Sequence, residues 1–240
     1  MYFSPVISNN KTVILFFSRS AQSEVKHKKW NPLQSNSQNV VVAKHLINNT
    51  LDVLASSGLP VYHYHEEIQI GSTFGERLAN AMQDLFSKGF ESIITVGNDC
   101  LDIRDIQWKD IAEKLRQGVP VLGPSLRKGA YLIGMHKDQF DYEKFSQLSW
   151  KTGNLQNDLT EYLVTESSVA LHLLQSKVDL NSRRDFMRLL KSLELRKLLL
   201  TTSSIIELLG LFHKAIYEDK NKLIYKFQYS NLGLRGPPAT

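Results

Sequence analysis

The chain has a single cysteine, Cys100, in 240 residues. That excludes an intramolecular disulfide and a cysteine-based zinc site. No uninterrupted apolar run approaches the roughly 18 residues needed to span a bilayer. The opening "MYFSPVISNNK" lacks a basic segment followed by an apolar one, so no secretory signal is read and the expected location is the cytoplasm. No internal repeat and no low-complexity segment stands out. Zinc-finger spacing and RNA-binding aromatic signatures are missing as well.

Hydrophobic residues make up 42% and charged residues 22%, a balance ordinary for a globular enzyme and enough to build a sizeable core. The formal charge is +5, but the basic residues are spread along the chain apart from two runs. One is "KHKKW" (Lys26 to Trp30), the other "RRDFMRLLKSLELRK" (Arg183 to Lys197). The second reads as the solvated face of a helix, and nucleic acid is not the expected partner.

Strand-like and helix-like segments alternate. "TVILFFS" (Thr12 to Ser18) is a continuous apolar run of strand length, and Arg19 to Asn39 follows without periodicity, predicting a long loop. Ala43, Ile47, Thr50 and Leu54 recur at helical spacing over Val40 to Ser57, "VYHYH" reads as a short strand, and Leu78, Met82, Leu85 and Phe86 share one helix face. After the strand "SIITV" comes a helix over Arg104 to Gln117, then strands in "VPVLGPS" and "GAYLIGM", a helix over Asn154 to Thr165 and a strand over Val169 to Leu174. Amphipathic helices around Phe186 to Leu193 and Ile205 to Phe212 and a strand in "KLIYKFQ" close the chain. The alternation predicts a three-layer α/β/α sandwich on a mostly parallel sheet. The expected division is a main domain over 1–193 and a helical extension over 194–240, where the helix around Ile205 to Phe212 could serve a homodimer.

The stretch "SIITVGNDCLDI" (Ser92 to Ile103) delivers acids at the end of an apolar strand, where open α/β sheets bind ligands. Asp99 is placed either to ligate a hard cation or to cap the helix expected from Arg104, and Asp102 has the same two readings. Cys100 between them reads as a small packed residue. Arg19, Lys26, Lys28 and Lys29 follow the first strand and could neutralise a diphosphate or simply form a solvated basic loop. Thr73 and Glu76 fit a capping box that starts a helix, leaving Arg77 free to face a ligand. The chain turns at Gly97, and Gly123 and Gly129 allow close approach of backbone to a ligand. Arg127 and Lys128 could bind an acidic group or block a pocket. His63 and His65 alternate on a strand, a pair that reads as bland without a third metal ligand in view.

Six pieces in order, "FFSRSAQSEVKHKKW", "GSTFGERLANAM", "ITVGNDCLDI", "VLGPSLRKGAYLIGM", "LSWKT" and "KVDLNSRRDF", resemble a bacterial family of GT-A glycosyltransferase-like proteins, the radical-SAM/selenodomain-associated transferases. The resemblance covers about residues 11–190. It implies a nucleotide-diphospho-sugar transferase fold and a nucleotide or nucleotide sugar as ligand. It also implies Mg2+ or Mn2+ at Asp99 and Asp102, phosphate contacts from Arg19, Lys26, Lys28, Arg77 and the glycines, and Asp179 near the reacting centre with Glu76 as another candidate base. Capping of a helix from Ser182 is the simpler role for Asp179. The chain departs from the family pattern at Asn98 for Thr, Leu101 for Pro, Arg127-Lys128 for Asp-Gly, and Lys26-His27-Lys28-Lys29 for Lys-Thr-Arg-Leu. Three activities follow as expectations: glycosyl transfer, nucleotidyl transfer to a sugar phosphate, or binding without catalysis.

Overall fold

The computed structural model describes residues 11–28, 36–100, 103–167, 169–180 and 185. Lys29, Trp30, Asp102, the helices expected around Phe186 to Leu193 and Ile205 to Phe212, the dimer surface, the strand in "KLIYKFQ" and the extension over 194–240 lie outside the described residues.

Among the described residues six strands form one sheet: β1 (Thr12–Phe17), β2 (Val61–Tyr64), β3 (Ser92–Val96), β4 (Val121–Pro124), β5 (Ala130–His136) and β6 (His172–Leu173). Their spatial order is β2-β1-β3-β5-β4-β6. β1 runs parallel to β2 and β3, and β4 parallel to β6. β5 alone is reversed, antiparallel to both β3 and β4. The sheet is thus mostly parallel in direction, as expected. The carboxyl ends of β1, β3 and β4 and the start of β5 share one edge. β1 and β3 are buried along their whole length, which is why both read as continuous apolar runs rather than alternating ones.

The helices are α1 (Ala21–His27), α2 (Asn36–Ala55), α3 (Phe74–Ser87), α4 (Trp108–Arg116), α5 (Tyr142–Ser146) and α6 (Leu155–Thr165). Leu78, Met82 and Leu85 of α3, Phe145 of α5 and Leu159 and Leu163 of α6 pack on one sheet face with Val13, Leu15 and Ile93. Val53 and Leu54 of α2 and Ile111 and Leu115 of α4 pack on the other with Ile14, Phe16, Ile94 and Val96. Neighbouring strand residues therefore feed opposite cores, and the three-layer sandwich follows. Among the described residues no helix is long and apolar enough to cross a membrane.

Three local expectations are corrected. The loop predicted over Arg19 to Asn39 contains α1, begun by the Ser20 side chain accepting from the Ser23 N–H; α1 is too short and too polar to have shown its period. The helix expected from Arg104 begins instead at Trp108, after Gln107. The strand expected over Val169 to Leu174 is confined to His172–Leu173.

Candidate functional site

The site is assembled at the sheet edge where β1, β3 and β4 end. β3 stops at Val96, and Gly97, Asn98 and Asp99 continue past the edge. Asp99 is not a helix cap, because α4 starts well beyond it. Its carboxylate Oδ1 meets the ammonium of Lys28, the residue at the carboxyl end of α1. The same ammonium lies 2.7 Å from Oε1 of Glu24, one turn back on the helix. The Glu24 side chain is 4% exposed and that of Lys28 16%, against 35% for Asp99. Burial pulls the Lys28 pKa down, but the carboxylates of Asp99 and Glu24 outweigh it and the pKa is raised. Lys28 therefore stays charged.

The second acid comes from the segment after β6. Lys177 accepts from Leu126 and donates to Pro124 through its backbone, continuing the sheet beside β4. The Leu180 N–H donates to the carbonyl of Asp99 at 2.7 Å. Asp179 is thereby held close enough to Asp99 for their charges to repel. Burial, joined by that repulsion and opposed by Ser125, Lys28 and Arg127, pushes the Asp179 carboxyl up to about 6. This is the setting expected of an acid that exchanges its proton near neutrality. The helix expected from Ser182, which Asp179 could cap, lies outside the described residues.

The glycines divide. A Cβ on Gly97 would meet nothing within 4 Å, and one on Gly129 would lie 3.2 Å from Ser125 Oγ and 3.9 Å from Asp179 Oδ2. Gly97 leaves room at the site, whereas a side chain at Gly129 would crowd Ser125. A Cβ on Gly123 would sit 2.5 Å from the Tyr131 ring, so the close approach here is to a core side chain, not to a ligand. That corrects the expectation for Gly123. Arg127 does bind an acid, but one of the chain's own: its Nη2 is 2.5 Å from Oδ1 of the buried Asp185. Lys128, where the resembled family has glycine, takes a φ of 63°, the left-handed region that glycine favours.

The other cations are gathered beside this centre rather than at Asp99. Lys151 has its pKa lowered by burial and then by the charges of Arg19 and Arg77, and it stands 5.1 Å over the Phe74 ring. Phe74 packs edge-on against Phe17, the last residue of β1. Arg19, Arg77 and Lys151 thus form a positive group at the same edge, held together against mutual repulsion. Arg77 also donates to the Ser72 carbonyl at 3.3 Å. Lys26 lies with Arg19 near Glu66 instead, and Ser20 Oγ donates to that carboxylate at 2.7 Å. Glu76 accepts from the N–H groups of Ser72 and Thr73 in the expected capping box; this structural duty removes it as a candidate base.

Glu24, Ser125 and Lys151 were not singled out by sequence reasoning. Glu24 and Lys28 stand at i and i+4, a pairing that becomes visible once the segment is read as a helix. Lys151 and Ser125 carry no local signal. His63 is a packed residue: its ring stacks on Phe16 at 4.5 Å and its Nε2 is 2.8 Å from Ser18 Oγ. Burial first, then His65, brings its pKa down to about 4. Cys100 is buried, as expected of a small packed residue. Asn98 Nδ2 is buried without a hydrogen-bond partner.

Among the described residues, those around Asp99 do not fit a resident Mg2+ or Mn2+; Asp102, the other expected ligand, lies outside them. The Asp99 Oδ1 is taken by an ammonium, as is Glu24, and among the described residues no group of three His, Cys, Asp or Glu side chains gathers to hold a metal.

Comparison with known proteins agrees with the fold. Residues 37–152 match the model of a family described as an uncharacterized protein conserved in bacteria (DUF2064). No curated protein sequence gives a significant match. Among solved structures, the chain is similar to a "putative nucleotide-diphospho-sugar transferase" from Desulfovibrio desulfuricans G20. The TM-score is 0.72 and the identity 19%, over 86% of this chain and 98% of that one. Rv0371c from Mycobacterium tuberculosis H37Rv matches more distantly, with a TM-score of 0.46 and 12% identity over 75% of this chain and 97% of that one. The chain has the three-layer fold of the Desulfovibrio protein, a nucleotide-diphospho-sugar transferase-like architecture.

Proposed function

We propose that the protein is a transferase that takes its donor group from a nucleotide-diphospho-sugar at the carboxyl edge of the sheet. The observation that carries this reading is the meeting of Asp99, Asp179 and Lys28 at that edge. Its support is the positive group of Arg19, Arg77 and Lys151 beside them, on a fold shared with a protein named for this chemistry.

In this reading the bond between the sugar carbon and the diphosphate oxygen breaks, and its electron pair leaves with the nucleoside diphosphate. Fixed cations stabilise the charge that develops there without reorganising. Arg19, Arg77, Lys151 and Lys28 supply them. An acceptor hydroxyl forms the new bond to the sugar carbon and gives its proton to Asp179, whose pKa of about 6 suits a base working near neutrality. Asp99 holds Lys28 in position. The expected divalent ion is left out of this scheme because Lys28 already engages the carboxylate it would need.

The test is a thermal-shift screen of nucleotides and nucleotide sugars followed by product analysis of each hit. Glycosyl transfer releases free nucleoside diphosphate, and Asp179→Asn keeps donor binding while losing turnover by about 100-fold. Pyrophosphate as product would move the assignment to nucleotidyl transfer. Binding with no turnover against any acceptor would leave a non-catalytic nucleotide-binding scaffold.

A further inference from the structure

The ammonium of Lys28 is enclosed in the manner of a bound ion. The helix end fixes its backbone, whose N–H donates to the Glu24 carbonyl. The side chain folds back so that Nζ lies between Glu24, at 2.7 Å, and Asp99. Glu24 is buried, and its carboxyl group is paired with this ammonium. The centre therefore has anionic oxygens from two elements, α1 and the end of β3, converging on one positive charge, at the sheet edge where a diphosphate would arrive. A nucleotide-handling site needs that charge; here the chain contains it.

We infer that Lys28 is the resident cation of the Asp99 centre and meets the diphosphate in place of a divalent ion, an assignment that rests on the transferase reading above. A metal ion would have to displace an ammonium that two carboxylates hold, and the displacement would strand the buried Glu24 without a partner. Lys28 is a point charge on a flexible stem, so it can keep one contact with Asp99 while turning a second N–H toward a phosphate oxygen. Asp99 is the more exposed of its two partners, and that is the side from which a ligand can reach it. Lys28 thus acts on the ligand directly, while Glu24 is a positioning residue.

The experiment uses the full chain and two probes, Mn2+ alone and a nucleoside diphosphate. Free Mn2+ is followed by its paramagnetic resonance signal. The natural chain is expected to take up no Mn2+ below millimolar concentration. Lys28→Met, relieved of the ammonium, takes up one Mn2+ per chain at least tenfold more tightly, and Asp99→Asn in that background cancels the gain. Lys28→Arg, which keeps the charge, behaves as the natural chain does. Melting temperatures of all variants report folding, and the natural-chain titration needs no variant. Micromolar Mn2+ uptake by the natural chain, or equal uptake with and without Lys28, overturns the assignment.

With the second probe, the natural chain binds nucleoside diphosphate equally in chelator and in Mn2+. Lys28→Met loses at least tenfold in chelator and regains affinity with Mn2+. A natural chain that binds the diphosphate only when Mn2+ is added contradicts the role of Lys28. Absence of nucleotide binding under every condition defeats the transferase reading instead, and the Mn2+ titration still decides whether Lys28 is the cation of this centre.

Discussion

The N–H of Leu180 donates to the carbonyl of Asp99 at 2.7 Å, and this backbone bond brings Asp179 against the acid at the end of β3. Two carboxylates from distant parts of the chain are thereby brought close: Asp99 pairs with Lys28, and the less solvated Asp179 holds its proton more tightly than usual.

That raised pKa is a stability statement. Folded Asp179 releases its proton at about pH 6 and the unfolded residue near 3.8, so the folded chain binds more protons between these values. Stability from this group is present below about pH 4 and is lost as pH rises toward 6. Asp179→Asn, which cannot ionise, is expected to raise stability at pH 7.5 by about 1 to 2 kcal/mol, discounting for partial exposure. It leaves stability nearly unchanged at pH 4. Thermal melts of both chains at the two pH values check the difference.

His63 works in the opposite direction. Its folded pKa of about 4 lies below the ordinary 6.5, so the unfolded chain binds more protons between those values. Stability from neutral, packed His63 is present above about pH 6.5 and is lost as pH falls toward 4. His63→Gln is expected to flatten the fall in melting temperature over that window. The His63→Gln effect grows as pH falls below about 6.5 and that of Asp179→Asn grows as pH rises above about 4, so single variants separate them.

The glycines give a structural control for the site. Gly75→Ala would place a methyl 2.0 Å from the Ser146 carbonyl oxygen and 2.5 Å from the Trp150 ring. Gly123→Ala would drive one into Tyr131 at 2.5 Å. Each is expected to cost about 1 to 3 kcal/mol by overpacking, read as a lowered denaturation midpoint. Gly97→Ala meets no atom within 4 Å and should fold with unchanged stability or a slight gain, while weakening nucleotide affinity if the space above Gly97 receives the ligand.

The sequence made the sheet legible because β1 and β3 are apolar on both faces, and the start of α3 legible because Thr73 and Glu76 can only cap one another at that spacing. α1 was hidden: in seven residues only Ala21 and Val25 are apolar, too few to reveal a period. With α1 unread, the i,i+4 pairing of Glu24 with Lys28 was invisible too. Asp99 was found from its place at a strand end, a local signal. Its partnership with Asp179 depends on how the segment after β6 returns along β4, and Lys151 reaches the edge by packing over Phe74. Tertiary placement of that kind leaves no trace in spacing. Gly123 shows the converse error, since a glycine needed by a neighbouring ring reads the same as one needed by a ligand.

The account turns on anionic ligand being received by the cations at this edge. Calorimetric titration of a nucleoside diphosphate into the natural chain and into an Arg19→Ala/Arg77→Ala double variant measures that most directly. Binding by the natural chain, weakened at least tenfold in the double variant while its melting temperature holds, is the predicted result. A folded natural chain that binds no nucleotide, or a double variant that binds as well as its parent, contradicts it.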